Sequence, residues 1–216
     1  MKLQFTQKLS MLLVFTLVGI SVSYANLNVP NTAGKIYNGF IITTSGDTLK
    51  GQLQMLSPTM NQVKVKFIDE TGKKQIYKAK DLHAYSFKTE VWNKSTKKKD
   101  VKWINYTKKT VEKPPVPFSS TEVLVQQEVA GNISIYNYYV EARSNQNMEH
   151  IIYLEKDKEL FIVDKTNYKK ILKNLTADSP FIRDKVGTKG YTYKYLNQTI
   201  QEYNQQLKKS VPSIEN

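Results

Sequence analysis

The chain has no cysteine, two histidines and two tryptophans in 216 residues. Each shortage removes a class of chemistry. Without a thiol there is no disulfide framework, no thiol nucleophile and no cysteine-ligated metal, so the fold must rest on an ordinary packed core. His83 and His150 stand far apart, and no second histidine follows His150 by four residues, so the helical zinc-hydrolase pattern is missing. There is no Gly-x-Ser-x-Gly elbow, glycine-rich phosphate loop or dinucleotide fingerprint. Asp47-Thr48 begins like the Asp-Thr-Gly of an aspartic protease, but Leu49 follows, and Asp47 is expected as a turn residue in Ser45-Gly46-Asp47. Glu155 and Glu159 flank a turn, with Lys156 and Lys158 around them, and form no recognisable glycosidase pair. No catalytic residue, metal ligand or cofactor is assigned.

Arginine is equally scarce. Arg143 and Arg183 are the only ones among 32 basic residues, and the formal net charge is +13. A surplus of that size favours acidic partners, but lysines bind as hydrated point charges and lack the planar fork that suits phosphates and base edges. The partners expected are an anionic glycan, an envelope surface or another protein, rather than nucleic acid. The same lysine-rich vocabulary also arises from an AT-biased genome.

Long apolar runs are confined to the N-terminus. Lys2 and Lys8 precede the run Met11–Ile20, and Ser23-Tyr24-Ala25 offers the small residues of a cleavage site, so 1–25 reads as a signal peptide followed by a tail over 26–34. The run is too short for a comfortable transmembrane helix, which needs about 20 apolar residues. With no cysteine after it, the expectation is an exported protein, periplasmic or secreted, that is not a lipoprotein and keeps no transmembrane span after cleavage.

From Lys35 the pattern alternates with a period of two. Gly39–Thr44 and Thr48–Met55 make a hairpin about Ser45-Gly46-Asp47, and Gln62–Phe67 with Lys74–Lys78 make a second one about Glu70–Lys73. Shorter runs follow at Ala84–Phe87, Thr89–Asn93 and Val101–Thr107. Pro114, Pro115 and Pro117 mark a linker near 113–118, because proline lacks the ladder donor. Beyond it Glu122–Glu128, Asn132–Val140, His150–Glu155 and Glu159–Asp164 read as strands. The unbroken runs Ile151–Leu154 and Leu160–Val163 fit strands buried on both faces at the centre of a sheet.

Near Asp164 the period becomes helical. Tyr168, Ile171, Leu172 and Leu175 follow a Thr166 cap, Ser179-Pro180 opens a short helix that ends at Gly187, and Leu196, Ile200, Tyr203 and Leu207 form a last stripe. The fold class expected is α+β. An antiparallel β region over 35–164, a meander that is barrel-like or divided into two sheets, precedes three C-terminal helices over 165–209 and a tail over 210–216.

One constellation carries chemistry. Between Lys88 and Lys109 the residues Lys94, Lys97, Lys98, Lys99 and Lys102 surround Trp92 and Trp103, which joins charge attraction to ring stacking and suits an anionic polymer. The plainer interpretation, stronger on sequence grounds, turns Trp92, Val101 and Trp103 toward the core and leaves the lysines as a solvated hairpin tip.

The segments Gly39–Gly51, Val129–Tyr136, Tyr153–Lys156 and Tyr203-Asn204 together resemble a group of uncharacterised exported proteins of Bacteroidetes-type bacteria. The resemblance implies export and a shared layout of hairpin, β block and helical tail, and no activity. The function expected is a non-enzymatic envelope or secreted protein that binds or supports anionic polymers or partner proteins. The alternative is a hydrolase of envelope or host polymers using Asp or Glu residues that the sequence does not identify.

Overall fold

The computed structural model describes residues 33–93, 96–117, 119–141 and 148–210. The expected signal peptide over 1–25 lies outside them, as do Lys94, most of the N-terminal tail and residues 211–216. Among the described residues no helix is long and apolar enough to cross a membrane.

The strands are β1 (Ile36–Thr43), β2 (Thr48–Gln54), β3 (Lys64–Ile68), β4 (Lys74–Lys78), β5 (Leu82–Asn93), β6 (Lys98–Thr110), β7 (Glu122–Val129), β8 (Ser134–Glu141), β9 (Met148–Lys156) and β10 (Glu159–Val163). They form one ten-stranded antiparallel sheet in the order β10-β9-β8-β7-β6-β5-β1-β2-β3-β4. The sheet is open, with β4 and β10 as its two ends. β1 to β4 run as the expected meander, after which β5 returns to the far side of β1 and the chain continues outward to β10. The runs Ala84–Phe87 and Thr89–Asn93 are one strand, because Lys88 keeps its place in the ladder opposite Trp103.

Turns match their sequence. Gly46 takes φ 93 between β1 and β2, and the Asp47 carboxylate accepts from the Ser45 hydroxyl at 2.6 Å. The Asp69 carboxylate accepts from the Thr71 and Lys73 N–H groups and so closes the next hairpin. The Thr71 hydroxyl, which donates to the same carboxylate at 2.7 Å, and then those N–H groups hold the Asp69 carboxyl below its usual pKa.

The inner face carries two cores. In the first, Ile41, Leu53, Val65, Phe67, Leu82, Tyr85, Phe87 and Tyr106 close around a short helix, α1 (Pro58–Asn61), and a 3-10 turn over Ala79–Asp81. In the second, Ile133, Ile135, Leu154 and Val163 meet the C-terminal helices, among them α2 (Tyr168–Leu175), α3 (Pro180–Lys185) and α4 (Leu196–Ser210). Leu196, Ile200 and Tyr203 of α4 are buried there, so the stripe packs on its own sheet. Asn167, rather than Thr166, stands at the N-cap of the first of these helices and makes no side-chain cap bond, while the Asp164 carboxylate holds the preceding turn by accepting from the N–H groups of Thr166 and Asn167.

The strand buried on both faces is β8, where every residue from Ser134 to Val140 is buried. The apolar runs of β9 and β10 had pointed to the centre instead. β10 is an end strand with Ile162 exposed, and its apolar content serves the helices on one side. On the outer face of β7 to β9, Val123, Val125, Tyr136, Tyr138, Val140 and Tyr153 form a third core with Val111. The proline-rich linker straps it down, because the Tyr138 hydroxyl donates to the Lys113 carbonyl and Glu141 N–H donates to the Pro115 carbonyl.

Candidate functional site

Strand alternation and the ladder registers decide which side chains share the outer face of β1 to β6. Phe40 lies opposite Lys50 and Ser86, Lys66 opposite Gln54 and Ile76, and Lys88 opposite Trp103. The same parity puts Lys64, Lys74, Lys78, Trp92, Lys99 and Val101 on this face. Its described residues therefore present Lys50, Lys64, Lys66, Lys74, Lys78, Lys88 and Lys99 against a single carboxylate, Glu90. Lys64 and Lys78 face each other directly, an arrangement that costs stability unless an anion intervenes.

The expected lysine-tryptophan cluster occupies a projecting arm. β5 pairs with β1 no further than Phe87, and β6 pairs with β7 only from Asn105 onward, yet β5 and β6 stay paired out to Asn93 and Lys98. The ladder from Lys88 opposite Trp103 to Asn93 opposite Lys98 has no third strand among the described residues, and at ~3.3 Å per residue it extends roughly 20 Å. Lys97 turns its tip with φ 52.

Trp92, Val101 and Trp103 do alternate on one face, as a core would require, but that face is open. Their exposures are 58%, 65% and 42%. Trp103 is held in place by Phe40, with ring centroids 5.6 Å apart, and by the Lys88 ammonium 5.0 Å from its ring centroid. Lys99 bonds Glu90 at 2.8 Å, which raises its pKa. Lys98 and Lys102 point to the opposite face, where Lys102 meets Glu128 at 3.3 Å. The structure thus unites Trp92, Trp103 and Lys99 and turns Lys98 and Lys102 away from them.

Residues missed by the sequence reading complete the surface. Lys50, Lys64, Lys66, Lys74 and Lys78 join from β2, β3 and β4, and a groove of about 330 Å³ runs between Gln54, Lys66, Ile68, Lys74 and Ile76. The available signal was the strict alternation of lysine with apolar residues in Lys64-Val-Lys-Phe67, which marks one solvated face.

Glu155 and His150 are held by contacts within the sheet. The Glu155 carboxylate takes the Lys109 ammonium and the Tyr136 hydroxyl, the latter at 2.6 Å. Burial and then that carboxylate push the Tyr136 pKa up. His150 stacks on Tyr139 with centroids 5.0 Å apart and meets the Asn137 side-chain oxygen at 3.0 Å; burial lowers its pKa. His83 lies four strands away on β5, roughly 19 Å at ~4.8 Å per strand. Among the described residues no cluster of three His, Asp or Glu side chains has the geometry to hold a metal ion.

No protein-family model, curated protein or solved structure matches this chain.

Proposed function

We propose that the protein is a non-enzymatic binding protein of the cell envelope or secreted space, and that it holds anionic polymers on the outer face of β1 to β6. One observation carries this reading: the described residues leave uncovered a sheet face rich in lysine, poor in carboxylate and bearing exposed tryptophans. A protein gains nothing in stability from such a face. Neighbouring lysines repel, and exposed rings forfeit the burial free energy, about 1.5 to 3 kcal/mol for a large apolar side chain. Both costs fall when an acidic chain lies across the surface.

Salt elution from immobilised heparin tests the reading. The double variant Lys66→Glu with Lys74→Glu elutes at clearly lower salt than the parent. The pair Lys170→Glu with Lys173→Glu, on the exposed side of α2, changes net charge equally and moves elution less. Equal shifts for the two pairs would mean that overall charge alone governs retention, and the proposed face would be wrong.

A further inference from the structure

Resting on that reading, we infer that the ligand is an acidic polysaccharide whose sugar rings stack on Trp92 and Trp103 while its acid groups meet lysines of the outer face. The two indoles occupy one side of the arm, Trp103 near its base on β6 and Trp92 near its tip on β5. Four residues along the strand and one strand across separate them by about 14 Å. That is the span of a short oligosaccharide rather than of one ring. Val101, strongly exposed, lies between them as an apolar floor, and Lys88 and Lys99 stand opposite the two indoles.

Competing ligands fit this arrangement less well. A hairpin that inserts into a bilayer carries its apolar side chains at the tip, whereas the described residues nearest the tip here, Asn93, Thr96 and Lys97, are polar and the aromatics lie along the flank. Single-stranded nucleic acid stacks successive bases on closely following aromatics, and here the second ring is about 14 Å away with an aliphatic residue between. A second copy of the chain would bring lysine against lysine.

Calorimetric titration of the purified protein with size-defined heparin oligosaccharides, inorganic polyphosphate, poly(dT) and phosphatidylglycerol vesicles tests the inference. Trp92→Ala and Trp103→Ala each weaken oligosaccharide binding by about fivefold, the loss expected for one ring stack, and leave polyphosphate binding within about twofold of the parent. Circular dichroism melting of Trp92→Ala checks that the fold is intact. If oligosaccharide and polyphosphate bind alike and neither tryptophan matters, ring stacking is wrong while the anion-binding face survives. If no polyanion binds, both fail. Tighter binding of poly(dT) or of vesicles than of oligosaccharide, with tryptophan dependence, overturns the choice of ligand.

Discussion

The side-chain amide of Gln62 hydrogen-bonds both backbone groups of Tyr139, donating to its carbonyl at 2.6 Å and accepting from its N–H at 2.8 Å. The Gln62 carbonyl also accepts from Leu124 N–H at 2.9 Å. Pairing of β7 with β8 runs from Val129 opposite Ile135 to Gln126 opposite Asn137, and Gln62 fills the fork beyond, doing for each strand what the other would have done. It ties the first core to the second half of the sheet.

Replacing Gln62 with leucine leaves two buried backbone groups of Tyr139 unpaired, at about 1 to 3 kcal/mol each. The expected result is a loss of about 2 to 5 kcal/mol, read as a lower midpoint in urea at unchanged slope. A loss below about 1 kcal/mol would show that the fork is satisfied in another way.

Gly39 and Gly51 face each other across β1 and β2. A Cβ at Gly39 would stand 2.1 Å from the Ser86 carbonyl oxygen, and one at Gly51 would stand 2.4 Å from that of Ile68. Backbone cannot yield as a flexible side chain does, so Gly39→Ala and Gly51→Ala should each cost about 1 to 3 kcal/mol or more. Thermal melting checks this, and a melting temperature equal to the parent's would contradict the close approach. Leu53→Ala removes only the second contact at Gly39 and should leave the penalty of Gly39→Ala standing, because the Ser86 carbonyl oxygen stays where it is.

Two neighbouring tyrosines make an internal comparison. The Tyr139 hydroxyl is buried without a hydrogen-bond partner among the described residues, whereas that of Tyr138 donates to the Lys113 carbonyl. Tyr139→Phe should therefore be neutral or stabilising, and Tyr138→Phe should cost about 1 kcal/mol and loosen the proline strap. Hydrogen exchange at Glu141 N–H, which bonds the strap at Pro115, reports that loosening.

Lys156 donates to the Leu175 carbonyl at 2.6 Å, to Asp178 at 2.9 Å and to the Tyr203 hydroxyl at 2.9 Å, which joins β9 to the end of α2 and the middle of α4. Burial opposes ionisation of Asp178, but hydrogen bonds from Lys156 and Tyr203 outweigh it and its pKa lies below the usual carboxylate value. A depressed folded pKa means stability that is complete above the unfolded value, ~3.9, and lost as pH falls through the folded one. Burial likewise pulls Lys156 down and the same partners more than reverse it, so its pKa is raised and its contribution fades only as pH rises past the ordinary lysine range. Asp178→Asn should flatten the acid limb of the stability curve by less than about 1 kcal/mol, since Asp178 is half exposed. An acid limb unchanged from the parent's would remove Asp178 from the network.

Local chemistry was legible in the sequence, and distant pairing was not. Gly46 and Asp47 set their turn within a few residues, and the stripe of Leu196, Ile200 and Tyr203 announced a buried helix face. The return of β5 to β1 and the bond of Gln62 to a residue 77 positions away depend on partners that no local window contains. Trp92 and Trp103 illustrate the limit at the site. Their alternation showed correctly that they share a face, but a third strand and a covering layer decide whether a shared face is core, and the described residues supply neither at the arm.

NMR titration with a sulfated oligosaccharide reads directly whether a polyanion occupies the outer face of β1 to β6. The chain's two tryptophans both lie on the arm, so two indole N–H signals report on it without ambiguity. Shifts should concentrate on those indoles and on the backbone of Lys50, Lys66, Lys74 and Lys88, and diminish as salt screens the charges. Shifts centred on α2 to α4, or spread evenly over every exposed lysine with the indoles unmoved, would contradict the account.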